Sequence, residues 1–188
     1  VIDAEMPAKF PTAAREAQAI VARTHALWQM QQADPNASYD VFATVRSQKY
    51  LGTEYVDGKG RRLAGESASS RNASAATRGL VCQSQGKIFC TYYSAVCGGA
   101  TTPGKAFFSD ADNVLRSVPC EWCRGSDKYR WQATLSDGEL LAVVKKHASP
   151  RNLTAIRSIR QTQGPQAGVI ATFEIGDGRR TATIDGNT

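Results

Sequence analysis

Histidine and methionine are scarce in this chain of 188 residues, with two of each, and no apolar run approaches the roughly 18 residues of a membrane span. A Ser-His-Asp or Cys-His triad would have to use His25 or His147, and neither lies in a nucleophile motif. A phosphate-binding glycine fingerprint and a His-Glu-x-x-His pair are both missing. The chain opens on Val1-Ile2-Asp3-Ala4-Glu5 without a basic or apolar leader, which leaves a removed signal or anchor upstream open. Basic clustering is also thin. The net charge is +6, but +4 of it arises from Lys145 onward (seven basic, three acidic), and the first 144 residues hold no basic run beyond Arg61-Arg62. Nucleic acid is therefore not an expected partner.

What is present is a foldable composition, 41% hydrophobic and 21% charged. The length suits one domain, or two small lobes around a substrate cleft, with a candidate lobe boundary near 148–152. Thr12 to Gln32 is rich in helix formers, and Ala13, Ala17, Ile20, Val21, Thr24, Leu27 and Trp28 repeat at three and four, which predicts a helix with that stripe buried. Tyr39 to Val45 alternates like a strand, and the Gly-rich 52–65 stretch reads as loop. Ser67 to Arg78 predicts a second helix ending at Gly79, and Leu80 to Tyr93 a hairpin around Ser84-Gln85-Gly86-Lys87. Cys97 to Arg130 reads as long loops, Asp137 to His147 as a third helix, and 155–163, 169–175 and 179–184 as strands. The order argues an α+β fold with a β-rich C-terminal part.

Several strings of residues occur in a telling order. Glu5-Met6-Pro7 precedes the helix that carries Ala17-Gln18-Ala19 and Ala22-Arg23-Thr24. Asn72-Ala73 and Thr77-Arg78-Gly79 follow, then Tyr92-Tyr93-Ser94-Ala95-Val96-Cys97-Gly98-Gly99, and Val114-Leu115-Arg116-Ser117-Val118 running into Cys120-Glu121-Trp122-Cys123. Together they resemble the stage II sporulation protein D family (SpoIID/LytB-type domains) over residues 1 to about 130. The resemblance implies a bacterial cell-envelope protein, periplasmic or extracytoplasmic, acting on peptidoglycan glycan strands. It implies a lytic transglycosylase with Glu5 as acid and base, supported by Arg23 and Tyr93, and with Gln18, Ser94, Gly98 and Gly99 at the substrate. Some relatives act as stimulators of an amidase, so a non-catalytic wall-binding module with an amidase partner is the alternative. Many members carry His after the Tyr, where this chain has Ser94.

The chemistry constrains Glu5. One carboxyl group can protonate the departing glycosidic oxygen and then take the proton of the muramic C6 hydroxyl, so no paired carboxylate is required. Such an acid must be protonated near neutral pH, which predicts an apolar site, with Met6, Pro7 and Phe10 as neighbours, that raises its pKa above about 4.3.

Five cysteines cannot all pair within one chain. Cys120-x-x-Cys123 has metal-knuckle spacing, and Cys97 beside the Gly98-Gly99 turn can approach it, so a Zn2+ site, a disulfide and free thiols are the readings. At 100° per residue, His25 leaves its helix 200° after Arg23, which makes it a poor partner for any site that Arg23 serves. Cys82 and Cys90 flank the predicted turn and are near cross-strand neighbours if the loop has three residues, which leaves a disulfide and two small buried thiols as the readings.

Overall fold

The computed structural model describes residues 1–148, 152–163 and 171–185. The fold is α+β. Its residues fall into two units, Val1–Tyr93 and a second from Ser94 onward. Among the described residues no helix is long and apolar enough to cross a membrane.

The first unit opens with a single turn of helix, α1 (Ile2–Glu5), which buries none of its residues. The long helix α2 (Thr12–Gln32) starts after Pro11, whose fixed φ suits a helix entry. Its buried residues are Arg15, Gln18, Ala19, Ala22, Thr24 and His25, not the expected apolar stripe. Of that stripe only Thr24 is buried, while Ala13 and Ala17 are exposed. The reason is chemical: Arg15 and His25 find polar partners inside the unit, which outweighs the modest burial available to alanines. Ser67 caps helix α3 (Ala68–Ala76) by accepting from the Ser70 N–H, and α3 packs against α2. Gly79 follows with φ +78°, the left-handed conformation that ends many helices.

Two local expectations change. Residues 39–45 form turns rather than a strand, because hydroxyls satisfy the backbone locally: Phe42 N–H donates to Ser47 Oγ, and Arg46 lies over the Phe42 ring. The 52–65 stretch holds a hairpin, β1 (Glu54–Val56) with β2 (Arg62–Ala64), closed by Asp57 accepting from the Lys59 and Arg61 N–H groups. Gly65 is required there, since a Cβ would lie 2.1 Å from the Gly52 carbonyl oxygen.

The next hairpin, β3 (Gln83–Ser84) with β4 (Lys87–Ile88), turns on two residues, Gln85 and Gly86, both at positive φ. A two-residue loop sets Cys82 opposite Phe89 rather than Cys90, and no disulfide joins the two cysteines.

In the second unit, α4 (Asp137–His147) matches its prediction residue for residue, with a capping box between Ser136 and Glu139. Strands β5 (Ser158–Gln163), β6 (Thr172–Gly176) and β7 (Thr181–Asp185) form an antiparallel sheet in the order β5-β6-β7. Val144, Ala148, Leu153, Ile175 and Ala182 make one buried cluster, with Leu140, Leu141, Ile156, Phe173 and Ile184 against it. This cluster joins both sides of 148–152, so the expected lobe boundary falls inside the second unit; residues 149–151 themselves lie outside the described residues. Positions 164–170, which include the first two residues of the strand expected over 169–175, are outside them too.

Candidate functional site

In the first unit, α1 brings Glu5 toward the 47–50 segment, where its Oε1 accepts from the Lys49 N–H at 3.3 Å. Tyr93 stands near enough for the Glu5 charge to act on its phenol. Burial and then Glu5 push the Tyr93 pKa up to about 12, against the opposing influence of the Gln18 side chain. The phenol is therefore neutral at physiological pH and able to donate a proton to a hydrogen bond. Gln18 is buried, and its Nε2 has no hydrogen-bond partner of good geometry although its side chain lies close to the Tyr93 hydroxyl. Glu5, Gln18 and Tyr93, distant in sequence, thus share one place.

The apolar enclosure expected around Glu5 is not found. Glu5, Pro7 and Phe10 are exposed, and Met6 is only half-buried.

Arg23 is expected beside Glu5 and is found elsewhere. Its guanidinium donates to the carbonyls of Thr77 and Leu80, both at 2.8 Å, and of Ser74 at 3.3 Å. Ser74 lies in the last turn of α3 and Thr77 caps it, so a fixed cation there suits the negative end of that helix, while Leu80 lies just beyond the Gly79 turn. His25 leaves α2 in another direction. Its Nδ1 donates to the Thr91 carbonyl at 3.0 Å, and Cys90 Sγ is 3.6 Å from the same nitrogen.

Two residues that the sequence reading passed over hold the Glu5 segment. Arg15, 1% exposed, pairs with Asp3 and donates to the Met6 carbonyl at 3.0 Å and to Ser67 Oγ at 3.2 Å. Asp3 also accepts from the Ser67 N–H at 2.7 Å and the Ser67 hydroxyl at 2.9 Å. Burial alone would raise the Asp3 pKa, but Ser70, Ser67 and Arg15 together hold it below the usual carboxylate range. A usable signal exists: Arg15, Gln18, Ala19 and Ala22 share one helical face, and a cation on that face requires a buried anion.

The second unit carries a separate group. Cys120 N–H donates to the Gly99 carbonyl and Thr101 N–H to that of Val118, an antiparallel ribbon that places Cys97 over the Cys120–Cys123 turn. The three sulfurs lie within 4.8 Å of one another, with Cys97 and Cys123 3.6 Å apart. Cys120 has a lowered pKa, first from the Cys97 thiol and then from the Trp122 N–H. At Cys97 the Gly99 N–H works downward, and burial and the neighbouring thiols prevail to raise it. His25 is not part of this group; among the described residues the cluster able to hold a metal consists of the three cysteines. Gly98 and Gly99 have φ of +67° and +117°, and Tyr129 Oη would be 3.0 Å from a Cβ on Gly99, so this turn is shaped around the ribbon. Ser94 is exposed at the start of the unit.

Residues 1–83 match the family described as SpoIID, stage II sporulation protein. Over that region, less than half of the chain, it is similar to the SpoIID family. An uncharacterized protein of Brachyspira hyodysenteriae is 30% identical over 178 residues, which is 93% of this chain and 44% of that relative. The chain thus spans less than half the length of the curated relative it matches. No solved structure matches the chain. The likeness to SpoIID suggests a cell-wall-related function. The SpoIID region contains Glu5, Gln18, Arg15 and Arg23, whereas Tyr93 and the three clustered cysteines follow it.

Proposed function

We propose that the protein cleaves peptidoglycan glycan as a lytic transglycosylase outside the cytoplasm, with Glu5 as its acid and base. The observation that carries this reading is the approach of Tyr93 to Glu5 and Gln18, two residues of the stretch that matches SpoIID. Glu5 delivers its proton to the oxygen that leaves with N-acetylglucosamine as the bond to C1 of N-acetylmuramic acid breaks. The resulting carboxylate takes the proton from the muramic C6 hydroxyl, and O6 closes on C1 to give the 1,6-anhydro ring. Exposure of Glu5 in the free protein means that the substrate must supply the dry surroundings that favour its protonated form. Tyr93, neutral at the working pH, orients the carboxylate or a sugar hydroxyl, and the Gln18 amide supplies a polar contact beside it. Ser94, Gly98 and Gly99 remain proposed substrate contacts carried by the second unit.

The three thiols fit a zinc ion. Around a tetrahedral zinc with Zn–S bonds near 2.3 Å, sulfurs are about 3.8 Å apart, close to the Cys97–Cys123 separation of 3.6 Å. Bound there, zinc would tie the loops of the second unit together and, with three protein ligands, could polarise a fourth. A zinc assay on protein purified without chelator is expected to give about one ion per chain, reduced when Cys120 and Cys123 are both changed to Ser. Absence of metal together with fewer than five free thiols would instead favour a disulfide.

A second reading, a non-catalytic wall module that stimulates an amidase, is favoured by one observation, the exposure of Glu5. Digestion of purified glycan strands separates the two. The enzyme reading predicts 1,6-anhydromuramic ends whose rate of formation falls by about 10²–10⁴ in Glu5→Gln. Retained glycan binding by the native protein with no such ends would sink it in favour of the module.

A further inference from the structure

We infer that Arg15 is the positioning residue for Glu5, acting through the Met6 carbonyl and Asp3. This rests on the proposed role of Glu5. A four-residue helix has no stability of its own in water, because nucleation fixes several residues for a single hydrogen bond. Helix α1 buries no residue and its N-cap makes no side-chain hydrogen bond, so its placement must come from outside itself. The polar ties that reach it are few. Glu5 takes one long bond from Lys49, at an exposed position. The others reach Asp3 on the first turn and the carbonyl of Met6, the residue that follows Glu5; Arg15 makes a bond at each, and Ser67 donates to Asp3 as well. One guanidinium therefore grips the helix on both sides of the acid, and Ser67 anchors the grip to the start of α3.

The planar fork is essential to this role. One guanidinium nitrogen serves Met6 while the other serves Asp3 and Ser67, and a lysine ammonium cannot reproduce that division. Arg15 reaches Glu5 only through the backbone, so it moves no proton itself. Misplacement of a reacting group by about 1 Å can lower a rate about 10²-fold.

The test compares Arg15→Lys and the double variant Asp3→Asn with Arg15→Met, which removes both charges and leaves no buried ion unpaired. Thermal unfolding monitors the fold. Glycan cleavage gives kcat and KM, and the pH titration of the Lys49 amide in a 15N-labelled sample reports the Glu5 carboxylate it contacts. Folded variants are expected to lose about 10²-fold in kcat with KM changed less than about threefold, and to lose the carboxylate step at Lys49. A folded variant with native kcat, or with the Lys49 step intact, overturns the inference. Where the double variant does not fold, Arg15→Lys decides on the same readouts. Were the native protein to release no anhydro ends, the catalytic reading would fall on that result, while the Lys49 titration would still decide whether Arg15 places Glu5.

Discussion

The two units bury different kinds of material. Inside the first lie Arg15, Gln18, Thr24, His25, Gln48, Ser70, Thr77 and Thr91 beside small residues such as Ala19, Ala22 and Ala73. Inside the second lies an aliphatic cluster of Val144, Leu153, Ile175 and two alanines. Non-directional burial holds α4 against its sheet, whereas directional bonds hold α1, α2 and α3 in register. A region that must place one carboxyl group to within a fraction of an ångström gains from bonds that specify distance and angle. A region that need only be stable does not require them. The thiol ribbon of the second unit falls between, with its geometry set by backbone bonds and three sulfurs.

Truncation of the aliphatic cluster should give the largest effect. Leu153→Ala removes a side chain that is 1% exposed and is expected to lower unfolding stability by about 2–5 kcal/mol. Denaturant unfolding measures it; a change below about 1 kcal/mol would mean that the cluster is not the main support of its unit. A smaller loss is expected from Ser67→Ala, about 2 kcal/mol, since the hydroxyl caps α3 and also serves Asp3 and Arg15. Here the same unfolding experiment has a second readout, because the Lys49 amide should shift as α1 loosens. A stability loss with no shift would break the link between the polar interior and the placement of Glu5.

Acid should produce the gentlest and most selective change. Asp177, bonded by the N–H groups of Arg179, Arg180 and Thr154, has its pKa lowered from 3.8 to about 2. A depressed carboxylate stabilises the fold fully above its unfolded value and loses that contribution as pH falls through the folded one. The Asp177 turn should therefore loosen between about pH 4 and pH 2, seen at the Arg179 and Arg180 amides. Asp3 is held lower still, so the Ser67 amide should keep its native position after that turn has changed. Simultaneous movement of both would contradict the stronger hold on Asp3.

Legibility followed the kind of interior. Helix α4 was readable to the residue, because Ser136 and Glu139 form a capping box and leucines and valines at helical spacing meet an aliphatic core. In α2 the extent was readable and the buried face was not. Ala13 and Ala17 look apolar, but little is gained by burying a methyl group when Arg15 on the next face has an anion waiting in Asp3. Alternation in 39–45 suggested a strand, yet among the described residues no strand pairs with it, and Ser47 and Thr44 close it into turns. Of the candidate site, Glu5, Gln18 and Tyr93 come together as one group and Arg23 does not join them; the place of Arg15 on the buried face of α2 signals a buried anion, but a charge pair twelve residues apart carries no periodic signal that would name Asp3 as that anion.

By itself, the sequence determined the α+β class, the helical spans, the Gly86 and Gly79 turns and the motif order of a SpoIID region, all of which depend on contacts among neighbours in the chain. Tertiary structure alone decided which polar groups share a partner: Asp3 with Arg15, Arg23 with the end of α3, and Cys97 with Cys120 and Cys123. Those pairings depend on where distant segments meet, and burial makes each of them matter, because a polar group removed from water must find its partner wherever the fold has put it.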